Sequence, residues 1–199
     1  MAEVLKKRKD ISVLASNFTI YLDNEKNSNY QHVANRMDNT SEVTKVPFDY
    51  KWYYITRPGS TFCFRKDFFD EIKFNWDVNT AHDCNLWYFA VMQEKMAIFH
   101  YSTMAFRRHG NNASSEYLNT RNKRYEAAQM ARNINIYFRK FLQEGKTQII
   151  DAIITFCDLR IRFLETGKLS CWVKLFVFYR EFYFSSRSCL ADLIYFAKK

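Results

Sequence analysis

The residues best suited to proton chemistry sit directly before an apolar run. In TAHDCNLWYFAVM, residues 80–92, His82 and Asp83 precede a segment that is almost wholly apolar and aromatic. Thr80 followed three positions later by Asp83 has the spacing of a helix capping box, with Leu86, Trp87, Ala90 and Val91 as the buried face of the helix it opens. Two roles are open to Asp83 there. As a cap it satisfies backbone donors and complements the helix dipole. As an ionised carboxylate on rigid backbone it can take a proton from a substrate, which is the work of a general base. His82 can tune that carboxylate or bind an anion, or be an ordinary surface or core histidine.

A second cluster, FRRHGNNASS at 106–115, ends an apolar-alternating segment in two arginines, a histidine and a glycine. Arg107, Arg108 and His109 can together complement a diphosphate, and His109 can ligate a divalent cation. The plainer reading is a basic strand end running into a polar loop and a helix cap. A third piece, RPGSTFCFRKDFF at 57–69, reads as a Pro58-Gly59 turn feeding a strand and then a helix capped by Asp67. Its plain reading is a structural turn. The run KKRK at 6–9 reads as a solvated helix face.

The elements that must position these groups fall into two regimes that part near residue 113. Before it, ISVLA and FTIYL alternate at period two and predict two short strands, with further strands at YKWYYIT, STFCF and AIFHYSTMAFRR. After it, Ala127, Met130, Ile134, Phe138 and Phe141 recur at helical spacing, predicting a helix closed near Gly145. A second helix carries Ile150, Ile153, Cys157, Ile161 and Leu164 as its stripe, with Gly167 just past its end. The aromatic segment 168–197 should break near Ser185 and Ser186.

Composition narrows the class. Nearly half of the 199 residues are apolar, enough for one sizeable core or two small ones. Only four glycines and two prolines are present, so Asn, Asp and Ser must make the turns. A net charge of +9 favours an anionic partner without choosing among lipid headgroups, phosphorylated small molecules and nucleic acid. The basic residues are scattered and match no recognised nucleic-acid module, which argues against that partner. Five widely spaced cysteines with no CxxC pair argue for a reducing, cytoplasmic compartment and against a zinc site. The segment LSCWVKLFVFYREFYF, 169–184, is interrupted by Lys174, Arg180 and Glu181, so it can lie on a membrane but not cross one.

In their order, the three pieces resemble the family 2 glycosyltransferases of the GT-A fold, in particular bacterial rhamnosyltransferase-like members. Those enzymes carry a G(S/T) strand leading into an FR-containing helix start, then HD..LW..A opening a helix, then a strand ending in YR.HG.N. The counterparts are GSTFCFRKDFFDEI, HDCNLWYFAVMQEK and FRRHGNNAS. The likeness covers most of the chain and begins about halfway through a typical member. The family's Asp-x-Asp motif, which holds metal and sugar nucleotide, has no counterpart here, and the glycine that often follows the helix is replaced near Lys95.

The resemblance implies an α/β fold: a partial, Rossmann-like GT-A domain over 1–112, lacking its nucleotide-binding half, and an α-helical extension over 113–199. It implies Asp83 as the catalytic base that deprotonates an acceptor hydroxyl. It places His82, Trp87, Thr61 and Arg108 at the substrate, with Trp87 either bordering the acceptor or packing. His109 falls near the donor diphosphate and is the candidate metal ligand. For the complete enzyme it implies a nucleotide-sugar donor, a divalent cation (Mn or Mg), a glycan or lipid-linked acceptor, a cytoplasmic site peripheral to the inner membrane face, and room for a homo-oligomer. The rival expectation is a non-catalytic module whose basic, aromatic helices meet a membrane surface or a protein.

Overall fold

Ile11, Val13, Leu14 and Ala15 are all completely shielded from solvent. A segment apolar on both faces has to be an inner strand, covered above and below. In a computed structural model, which describes residues 1–22, 42–54, 57–108 and 120–197, this segment leads into β1 (Val13–Leu22). The chain divides into two compact units, Met1–Phe48 with Ile55–Ser115, and Asp49–Tyr54 with Glu116–Lys199.

The first unit is α/β. Helix α1 (Ala2–Lys7) precedes β1, followed by β2 (Val43–Lys45) and a 3-10 turn, Gly59–Thr61, that runs into β3 (Phe62–Phe64). Helices α2 (Lys66–Ile72) and α3 (His82–Met92) then lead to β4 (Met96–Arg108). The sheet is mixed, in the order β2-β4-β1-β3, with β1 and β4 parallel and the outer strands antiparallel to their neighbours. Parallel strands need a crossover, and the connection from β1 to β4 contains both α2 and α3.

The two strands expected at ISVLA and FTIYL are one. Their pairing with β4 shifts register on both sides of Asn17, and the Asn17 amide donates to His100 O at 2.6 Å across the irregularity. This local break in the ladder is what makes the alternating pattern look like two segments. Asp67 lies in the first turn of α2 instead of capping it, and its Oδ1 accepts from Phe68 N–H at 2.8 Å.

The second unit is helical: α4 (Arg121–Arg139), α5 (Thr147–Thr166), α6 (Leu169–Phe178) and α7 (Ser186–Ala197). Thr120 caps α4 by accepting from Lys123 N–H, and α5 ends at Gly167, whose φ of 71° favours glycine. The predicted stripe of α5 is buried at Ile150, Ile153, Cys157 and Leu164. In α4, Met130 is 52% exposed, and Arg124 and Asn135 are buried with Ala128, Ile134 and Phe138. That helix ends at Arg139, one loop before Gly145.

The strand expected at YKWYYIT is not formed over its described residues. Residues 50–54 are turns and bends, and their side chains belong to the helical unit. Trp52, 1% exposed, meets Phe138 edge-on at 6.2 Å, and the Tyr53 hydroxyl donates to Phe182 O at 2.6 Å. Among the described residues no helix is long and apolar enough to cross a membrane.

Candidate functional site

The start of α3 is not built as its sequence spacing predicts. Ala81 occupies the N-cap position and contributes no side-chain cap. Thr80 turns its hydroxyl the other way, donating to Asp77 Oδ2 at 2.6 Å, so no capping box forms. Asn85 ties the loop down instead. Its Oδ1 accepts from Asp77 N–H at 2.9 Å, and its Nδ2 donates to Asp77 O and Thr80 O, each at 2.9 Å. Asn85 is completely buried, so these bonds satisfy a polar group that would otherwise be costly inside the fold.

Asp83 is half-buried in the first turn of α3. Oδ1 accepts from Cys84 N–H at 2.9 Å. Burial first, then the Asp83 charge and hydrogen bond, push the Cys84 thiol up to about 12, so it stays protonated beside the carboxylate. His82 is exposed on the same turn.

The PGST turn packs straight onto this carboxylate. A Cβ placed on Gly59 would lie 2.5 Å from Asp83 Cβ and 2.9 Å from its Oδ2, closer than real side-chain contacts allow. Gly59 is therefore required by close approach, and two of the three motifs meet at one point. The rest of the turn is self-braced. Thr61, 3% exposed, donates its hydroxyl to Pro58 O at 2.7 Å, and Ser60 Oγ donates to Met104 Sδ at 3.4 Å. Thr61 thus spends its hydroxyl on shaping the turn.

Trp87 is 1% exposed and stacks on Phe62 with ring centres 6.1 Å apart, so of its two expected roles the structure displays packing. Arg57, which sequence reasoning did not single out, is 2% exposed, and its Nη2 donates to Asn17 Oδ1 at 2.5 Å. Burial lowers its pKa to about 10, still charged at neutral pH. It places a cation at the base of the PGST turn, on the same irregular stretch of β1 that Asn17 holds. The only sequence signal for it is an arginine directly before Pro58.

The third motif is less completely placed. Phe106, Arg107 and Arg108 form the end of β4, opposite Ile20, Tyr21 and Leu22 of β1. His109 and the rest of HGNNASS lie outside the described residues. Among the described residues no three His, Cys, Asp or Glu side chains come together as a cation would need. The described part of the site therefore does not supply a donor set for Mn or Mg.

No protein-family model matches the chain, and neither a curated protein nor a solved structure is detectably similar to it.

Proposed function

We propose that the first unit is the acceptor-side half of an inverting glycosyltransferase of the GT-A kind, with Asp83 as its general base. The observation that carries this reading is the packing of Gly59 against Asp83. It joins the glycine of the PGST turn to the acid of the HD pair, two of the three motifs that carry the resemblance. The mixed α/β sheet, with the carboxylate on the helix before an inner parallel strand, is compatible with a partial GT-A domain.

In this reading the acceptor hydroxyl approaches the accessible side of Asp83. The carboxylate takes its proton as the oxygen forms a bond to the anomeric carbon, and the bond from that carbon to the diphosphate breaks with its electron pair on the leaving oxygen. Attack from the face opposite the leaving group inverts the centre. His82, exposed on the same turn, contacts the sugar, while the resemblance assigns Arg108 and His109 to the donor diphosphate, where positive charge stabilises the leaving group. Thr61 and Trp87 hold the turn and helix in register behind Asp83. The nucleotide-binding half that carries Asp-x-Asp lies, on this reading, outside residues 1–199, either in the same longer polypeptide or in a partner.

The experiment is a transfer assay on the complete enzyme with a panel of nucleotide sugars and glycan or lipid-linked acceptors. Release of nucleoside diphosphate that depends on acceptor, with inverted anomeric configuration by NMR, is expected. Absence of acceptor-dependent release across the panel, or retention of configuration, overturns the reading.

A further inference from the structure

Helix α6 is apolar on two sides. Cys171 and Leu175 turn into the helical unit and are 5% and 0% exposed. Leu169, Val173, Phe176 and Val177, at positions i, i+4, i+7 and i+8, make a second stripe that is 42% exposed at Phe176 and 62% at Leu169. A surface helix that packs only on its own domain carries polar residues there. The stripe is also stiffened. Trp172 stacks on Phe176 with ring centres 5.4 Å apart, and its Nε1 donates to Cys189 O at 3.2 Å.

The charges in the same segment are mainly positive. Lys168 and Lys174 are exposed on either side of the stripe, and Arg180 and Arg187 follow in the same segment. Residues 168–199 hold six Lys and Arg against two acids, Glu181 and Asp192. Asp192 is completely buried under Arg124 and Arg160, and the exposed Glu181, which accepts from Tyr50 OH at 3.3 Å, leaves the segment with a net positive charge.

We propose that the exposed face of α6 docks the chain onto an anionic lipid surface. The apolar stripe enters the boundary between headgroups and acyl chains, while Lys168 and Lys174 lie along the surface and reach the phosphates. A second copy of the chain is a poorer occupant, because a two-fold contact through this face would bring Lys174 and its flanking cations against themselves. The docking does not depend on glycosyl transfer, so either conclusion can fail alone.

Co-sedimentation of the full chain with phosphatidylcholine vesicles, with and without about one-third phosphatidylglycerol, tests it. Binding to the anionic vesicles alone is expected, weakening as salt rises. Val173→Glu combined with Val177→Glu should lower the partition coefficient at least about tenfold, and Lys168→Glu with Lys174→Glu by roughly as much at low salt, both at unchanged melting temperature. If the first pair melts lower, Val177→Ser alone replaces it and must still weaken binding. No binding of the wild type to anionic vesicles, or equal binding by the variants, overturns the proposal. So does a dimer in light scattering that the Val173 and Val177 pair splits, which would assign the face to a second copy.

Discussion

Two aspartates, one in each unit, are treated in opposite ways. Asp192 on α7 is completely buried and receives Arg124 Nε at 2.5 Å, Arg160 Nε at 2.7 Å and the Tyr183 hydroxyl at 2.7 Å. Burial, reinforced by the Asp192 charge, raises the Tyr183 pKa, so its hydroxyl remains a donor. Asp83 on α3 is half-buried, and among the described residues its carboxylate is met by Cys84 and by a glycine with no side chain to offer. A carboxylate whose acceptor positions are filled from within ties helices together. One whose positions are left open at the edge of a helix can accept a proton from something else.

That contrast can be broken most forcefully by removing each carboxylate. Asp192→Ala leaves two buried guanidinium groups without their counter-ion and should cost about 3–5 kcal/mol in urea unfolding. Asp83→Ala should stay within about 1 kcal/mol of wild type. Equal losses would show that Asp83 is a structural tie after all. Gly59→Ala should be intermediate, about 1–3 kcal/mol, because its methyl group must displace Asp83 or the turn. The same displacement should reduce transfer about a hundredfold if the position of the carboxylate matters. An alanine variant with full turnover would separate Gly59 from the site.

The smallest effect concerns Cys84. With its pKa pushed up to about 12, its alkylation by iodoacetamide should be slow at neutral pH and still accelerating well above pH 9. The Asp83 charge is one cause of that rise, so Asp83→Asn should shift the profile to lower pH and speed alkylation severalfold. An unchanged profile would mean that burial alone governs the thiol.

Much of the fold was legible because it is locally encoded. Alternating residues marked β1 and β4, the PGST turn marked β3, and the apolar stripe with Gly167 marked α5 and its end. YKWYYIT misled because aromatic residues suit strands, yet Trp52 and Tyr53 are spoken for by Phe138 and Phe182, far along the sequence. Thr80 and Asp83 had the spacing of a capping box, but spacing does not reveal that Asp77 competes for the Thr80 hydroxyl or that Asn85 can hold the loop alone. Of the site, Asp83 and its neighbour Gly59 were both visible as motif residues; their contact was not, since it depends on how a turn and a helix 20-odd residues apart pack. Arg57 left no periodic trace, because a single buried cation is specified only by the tertiary partner that receives it.

On the proposed reading, Asp83 takes the acceptor's proton. The most direct measurement is turnover of the complete enzyme with Asp83→Asn, which keeps the shape of the side chain and removes its basicity. A loss of at least about a hundredfold in kcat, with the melting temperature and donor affinity of the wild type, is the predicted result. Turnover within a few-fold of wild type would contradict it.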